Sequence, residues 1–352
     1  MIKQSSIHTD MVVSFDDILL VPQYSNVPSR TSPNLTTKLT RNISIKHPVI
    51  ATNMSTVTEA EMMYTMWASG SYGFMHRFMT TDKYNAQMYE FARLCKESDI
   101  ENPITAIASI GVKGEEISNK WLDNEYLIAV IIDIAHGESD SVCRTIEEVK
   151  KGWPHLDVIA GNIATRHGFL RMISAGADAV RVGIGGGSAC TTRMVTGHGL
   201  PTLASILDCE EVSKQHNIPM IADGGFKTSG DIVKALACGA DSVCLGSMLA
   251  ASSSTPGALL ELPNGQFKEY YGMSSYTAQE RHKESGKRRG IAAEGIDRLI
   301  PYKGDTAELI SEIAGGVSSG LSYSGAWNIE ELRENAECVV LSHGSMKESK
   351  LL

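Results

Sequence analysis

"ADAVRVGIGGGSACTTR", residues 177–193, begins as one kind of structure and ends as another. Its first part, AVRV, is a short β-branched run of the kind that forms a strand buried on both faces. Its second part carries four glycines, a serine, a lone cysteine and two threonines, a composition that ends a strand and makes a loop. Seven other runs share this plan: HPVIATN (47–53), SYGFMHR (71–77), ITAIASIG (104–111), LIAVIIDIA (127–135), LDVIAGNI (156–163), IPMIADGG (218–225) and ADSVCLGS (240–247). Between them lie segments with helix-period apolar positions, such as TEAEMMYTMWASG, SDSVCRTIEEVKKG and SGDIVKALACGA, and these often close near glycine. Strands alternating with helices predict a parallel sheet, and eight such units predict an α/β fold of the closed (β/α)8 barrel type. An open doubly wound sheet is the alternative the same pattern allows. In a barrel the strand ends feed loops at one mouth, and Asn53, Arg77, Asp133, Asn162 and Asp223 then gather there with the glycine-rich turns.

The 352 residues are 42% hydrophobic and 21% charged, the balance of a globular protein with a sizeable core. A formal net charge of -9 repels nucleic acid as a whole, so any phosphate must be bound locally. The N-terminal stretch has no long apolar core and no later run reaches membrane-spanning length, so the expectation is a cytoplasmic protein without membrane or nucleic-acid partners. The whole chain, 1–352, is expected to be one catalytic barrel, with the polar segment 279–299 as a mobile flap. Seven cysteines with no CxxC pair argue against a zinc site or a disulfide framework. Cys238 and Cys244 lie in apolar contexts and read as small hydrophobes. Cys190, on the glycine-rich loop, is the exception.

That loop, with Ser188, can offer backbone amides to a phosphate, and two further glycine-bearing strand ends, ADGG and LGS, would be its neighbours. Tyr271 is expected to add a hydroxyl. Cys190 reads either as a nucleophile with Thr191 and Thr192 beside it or as a packed loop cysteine. Asp133 with His136 is a candidate dyad, Asp133 being the stronger member. His76 and Arg77 read either as a cofactor contact or as a structural pair with a carboxylate. Glu294 on the flap is a candidate proton donor. No GxGxxG follows the first strand, so a nicotinamide cofactor would bind without a Rossmann domain.

Over residues 15–345 the chain resembles the IMP dehydrogenase and GMP reductase family, through SFDDILLVP, ATNMSTVTEAEM, VIAGNIAT, VRVGIGGGSACTTR, IADGGFKTSGDIVKAL, LGSMLAA, YYGMSS and IPYKGD in the same order. The resemblance implies a purine nucleotide substrate, GMP or IMP, and Cys190 as the nucleophile at purine C2. It implies that Thr192 and Glu294 move a proton and that Asp133 and Arg77 organise the cofactor end with Asn53, Ser55 and Ala135. Ser188, Asp223, Gly224, Gly225, Gly246, Ser247 and Tyr271 are implied for ribose and phosphate, and Met273, Ser274 and Gly295 for the base. A homotetramer and a monovalent cation such as potassium at Gly185, Gly187 and Cys190 are implied as well. Dehydrogenase flaps carry an Arg-Tyr pair that activates water, whereas this flap offers KRRGIAAEG, with Arg288 or Arg289 as substitutes. GMSS, IASIGVKGEE, MHRF and IDIAHGESDSV resemble a bacterial branch of the reductases, which implies NADPH as cofactor. Ser55 and Arg77 depart from the wider family pattern of aspartate and lysine, the ending SHGSMKES resembles the dehydrogenases, and IMP dehydrogenase or a non-catalytic nucleotide binder are the alternatives.

Overall fold

The structure, a computed structural model, describes residues 12–112, 121–281 and 292–348. Arg288 and Arg289, the middle of the expected flap and the last four residues of the tail lie outside the described residues. Eight parallel strands make the central sheet: β1 Val49–Ala51, β2 Phe74–Met75, β3 Ala106–Ile110, β4 Leu127–Ile132, β5 Asp157–Ile163, β6 Ala179–Val182, β7 Met220–Asp223 and β8 Ser242–Leu245. Each falls inside one of the eight runs. They pair in the order β1-β8-β7-β6-β5-β4-β3-β2, and a parallel bridge from Ala51 to Gly73, next to β2, brings the two ends together. The closed barrel, rather than the open sheet, is therefore the fold.

Side chains alternate along each strand, so the barrel separates two cores. Ile50, Phe74, Ile107, Ile131, Ile159 and Ile221 point inward and are fully buried. A hairpin of Thr37–Lys38 and Ser44–Ile45 closes the mouth at the strands' N-terminal ends, adding Leu39 and Ile45 to the same cluster. Asn42 fixes it by donating to Asp157, the first residue of β5, at 2.7 Å. Outward-facing residues meet the apolar stripes of the helices, among them Met62, Met66, Val142, Ile146, Phe169 and Ile206, all unexposed.

Those helices are α1 Ala60–Ser69, α2 Thr81–Glu97, α3 Asp140–Gly152, α4 Arg166–Ser174, α5 Thr202–His216, α6 Ser229–Ala237 and α7 Thr306–Tyr323. Local chemistry sets their starts. Thr80, Thr165 and Asp305 accept from backbone amides of α2, α4 and α7, and Thr228 forms a reciprocal capping box with Asp231 on α6. Helix α1 stops at Gly70, whose φ of 87° no β-carbon-bearing residue adopts cheaply. Helix α7 packs against both α6 and α1, closing the outer ring.

Two additions were not foreseen from the pattern. Ile18–Leu20 pairs antiparallel with Cys338–Val340, and Phe15 beside it packs on Phe226 with ring centroids 5.1 Å apart. Leu260–Leu262, Gly265–Tyr271 and Asp297–Pro301 form a three-stranded antiparallel sheet that follows β8. Its last two strands bracket the 279–299 segment and so fix where that segment leaves and returns.

Candidate active site

The strands' C-terminal ends open into a cavity of about 470 Å³. Glycines shape its wall. A β-carbon at Gly183 would lie 2.1 Å from the Asp223 carbonyl, and one at Gly224 2.8 Å from the Gly187 amide, so these loops approach more closely than any other residue permits. Asn162 ties β5 to them, its Nδ2 donating to the Gly183 carbonyl at 2.8 Å and to Asp223 Oδ2 at 2.7 Å.

At the centre, the Cys190 thiol donates to Thr192 Oγ1 at 3.1 Å, and the Thr192 hydroxyl donates to Glu294 Oε2 at 2.7 Å. These residues come from two places, the loop after β6 and the returning arm of the 279–299 segment. Backbone pairing holds them together: the Thr191 amide donates to the Glu294 carbonyl at 3.0 Å, the Ile296 amide to the Ala189 carbonyl at 3.0 Å, and Cys190 bridges Gly295. Gly295 is needed there because a β-carbon would lie 3.1 Å from both Gly272 and Ser275 backbone. A nucleophile, a hydroxyl relay and a carboxylate in series can take a proton from sulfur and return it to a leaving group.

Arg181, which no motif marks, lies under this centre. It is 6% exposed and projects from β6, its guanidinium donating to Asn53 Oδ1 at 2.8 Å and Thr52 Oγ1 at 3.1 Å and pairing with Asp223 at 3.0 Å. Burial opposes its charge, and the Asp223 carboxylate more than offsets this, holding the guanidinium protonated above its ordinary range. The one signal in sequence was a charge inside the apolar run AVRV. Asn53 keeps its Nδ2, buried and without a partner among the described residues, on the cavity wall. That donor is available to a ligand.

On another side, Arg77 pairs with Asp133 at 3.4 Å and its guanidinium lies 4.5 Å from the Phe78 ring. His76 is unexposed, accepts the Phe78 amide on Nδ1 and donates through Nε2 to a different carboxylate, Glu59, at 3.3 Å. Burial lowers its pKa, so it is a neutral structural histidine. His136 is exposed and does not line the cavity, so it forms no dyad with Asp133.

Ser188, Asp223, Gly224, Gly225, Gly246 and Ser247 all reach the cavity, as do Met273 and Ser274 near Cys190 and Ala135 beyond Asp133. Gly185 and Gly187 lie in the same loop wall. Two expectations are corrected. Tyr270, not Tyr271, faces the cavity, because successive residues of a strand point to opposite faces. Gly246 leaves room for it, since a β-carbon there would lie 3.0 Å from Tyr270 Oη. Tyr271 instead meets Ser55, whose hydroxyl donates to Tyr271 Oη at 3.2 Å behind the wall, so neither side chain lines the cavity. Three other cysteines, Cys95, Cys209 and Cys244, are buried, and burial pushes their thiols up to about 12.

Comparison with known proteins agrees with this geometry. The IMP dehydrogenase / GMP reductase domain family matches residues 12–351. Inosine-5'-monophosphate dehydrogenase of Borreliella burgdorferi is 34% identical, the alignment covering 97% of this chain and 96% of that protein. GMP reductase of Leishmania donovani is 29% identical over 96% of each. A crystal structure of a cysteine-to-alanine variant of Trypanosoma brucei GMP reductase in complex with guanosine 5'-monophosphate is 25% identical and superposes with a TM-score of 0.89, covering 100% of this chain and 99% of that one. With a barrel, a glycine-walled cavity and a cysteine held to a carboxylate through one hydroxyl, this chain belongs to the IMP dehydrogenase / GMP reductase family, oxidoreductases of purine metabolism.

Proposed function

We propose that this protein is a GMP reductase, converting GMP and NADPH to IMP, ammonia and NADP. The series Cys190–Thr192–Glu294, with spacings of 3.1 and 2.7 Å, is the observation that carries the reading. The Cys190 proton passes through Thr192 to Glu294, and the sulfur bonds to guanine C2. Glu294 and Thr192 return the proton to the 2-amino group, which departs as ammonia and leaves a thioimidate on Cys190. NADPH, when bound, supplies a hydride to C2. The carbon–sulfur bond then breaks, releasing IMP and the thiolate.

Asp223 would hold the ribose, and Ser188, Gly224, Gly225, Gly246, Ser247 and Tyr270 the phosphate, with Met273 and Ser274 near the base. For the cofactor, the residues that fit are Asn53, whose Nδ2 lacks a partner among the described residues, the Arg77–Asp133 pair, Ala135 and Thr192. Holding both reactants against Cys190 lowers the barrier through proximity. A monovalent cation such as potassium would take the backbone carbonyl oxygens of Gly185, Gly187 and Cys190 on the same loop; the Gly187 carbonyl, which accepts the Cys190 amide, keeps a second lone pair for it. A cytoplasmic homotetramer of one-domain barrels completes the proposal, and sedimentation velocity tests the assembly.

The second reading, IMP dehydrogenase, is favoured by relatives such as the Nitrosopumilus maritimus enzyme of that name, 32% identical over 96% of this chain and 97% of its own length. Following the absorbance of the reduced cofactor decides between them. Loss of NADPH with GMP alone supports the reductase, and production of NADH from IMP replaces it with the dehydrogenase.

A further inference from the structure

We propose that Arg298 binds the 5'-phosphate of the nucleotide and makes the site selective for monophosphates over nucleosides. The inference rests on the proposed nucleotide reading and adds a residue to it. The phosphate end is built from glycine amides and the hydroxyls of Ser188, Ser247 and Tyr270, all neutral donors. Among the described residues, the cations on the cavity wall are Arg77 and Arg181. Arg181 is held by Asp223, Asn53 and Thr52, and Arg77 is paired with Asp133. The wall therefore has no cation committed to a dianion, in a chain whose formal charge is -9.

Arg298 supplies one from just outside. Strand Asp297–Pro301 places Arg298 directly across from Tyr270, so the two side chains share a face. Its Nη2 donates to Ser188 Oγ at 2.8 Å, and its guanidinium lies 5.4 Å from the Tyr270 ring. Both partners line the cavity. Farther along, Lys303 turns its Nζ inward onto the Ser247 and Met248 carbonyls, so a second cation borders the same loop. Arg298 is exposed, has further N–H groups beyond the one given to Ser188, and can meet a phosphate with the planar fork that suits its oxygens. Ser188, oriented by Arg298 and hydrogen-bonded to Tyr270, has a hydroxyl that can turn to a ligand oxygen.

Calorimetric titration of the parent protein, Arg298→Ala and Arg298→Lys with GMP and with guanosine, at low and high salt, tests this. Expected is a loss of GMP affinity on the order of 10- to 100-fold in Arg298→Ala, with guanosine binding unchanged. Arg298→Lys should recover part of the loss, and the salt dependence of GMP binding should flatten in Arg298→Ala. Unchanged GMP affinity in Arg298→Ala, or an equal loss for guanosine, overturns the proposal, as does a parent protein that binds both ligands alike. Because the readout is binding, a protein that holds GMP through Arg298 without reducing it would sink the reductase reading alone. Normal turnover with an unaltered phosphate preference in Arg298→Ala would sink this one alone.

Discussion

Cys190 differs from the buried cysteines in lying on the loop after β6, where its thiol donates to a Thr192 hydroxyl that in turn donates to the Glu294 carboxylate. If that sulfur is the nucleophile, Cys190→Ala should still bind GMP and lose both turnover and the covalent nucleotide, which intact-mass measurement of the denatured enzyme detects. Glu294→Gln keeps the shape but cannot take the thiol proton, so the rate should fall by roughly 10²- to 10⁴-fold, with a smaller effect on GMP affinity. A rate within the parent's range would remove Glu294 from the relay. Arg181→Met leaves Asp223 and Asn53 without their buried cation and should cost about 3 kcal/mol of stability by urea unfolding, the low end for a broken buried pair because Asp223 is partly exposed. These residues were unequally legible. Cys190, Thr192 and Glu294 stand out by type and context, but that Glu294 meets Thr192 is a contact over 102 positions that no local pattern encodes. Tyr270 and Tyr271 are adjacent and identical, so choosing the one that faces the cavity needs the strand's phase, which only its pairing partners determine.

At the level of elements, the eight barrel strands were readable because both faces are buried and their sequences are accordingly mostly apolar. The edge elements were not. Ser44–Ile45 and Ile18–Leu20 are too short to show a period, and their partners are set by tertiary contact. Asp297–Pro301 is mostly exposed and opens with two charged residues, so its first part reads as the end of the flap rather than as a strand. A titratable group sits where the hairpin plug meets the barrel: His47, just before β1, contacts Ser69 at 3.0 Å and leaves Nδ1 buried without a partner among the described residues. Burial lowers its pKa from 6.5 to about 4. Below 6.5 the unfolded chain takes up a proton that the folded chain refuses, so His47's neutral state supports the fold above that pH. The support is lost as pH falls toward 4, by up to about 3 kcal/mol. Urea unfolding of His47→Gln at neutral pH and at about pH 5 should show a shallower loss than the parent. Parallel curves would mean that His47 is protonated in the fold.

For the molecule as a whole, the excess of acidic residues and the anionic ligand proposed for it pull in opposite directions. Surface charges act over a Debye length of about 8 Å at physiological salt, so the distant acidic residues are largely screened while amides, hydroxyls and Arg298 act at contact. Local geometry therefore outweighs the net charge of -9, and binding energy should appear as stability of the entire barrel, because the cavity is assembled from loops after most of its strands and from the returning segment at Glu294. A ligand that binds only the folded chain at 100 times its Kd adds about 2.7 kcal/mol. With an unfolding entropy of about 2.1 cal/mol/K per residue, that corresponds to a rise in Tm of about 4 °C for a chain of this length. GMP should produce this shift in the parent protein and in Cys190→Ala alike, since noncovalent binding suffices for it. AMP should produce a smaller one, because its purine lacks the 2-amino group and its 6-position donates where guanine accepts. Equal shifts from GMP and AMP at matched concentrations would mean that the cavity grips the sugar phosphate and ignores the base, which would remove the purine selectivity on which attack at C2 depends.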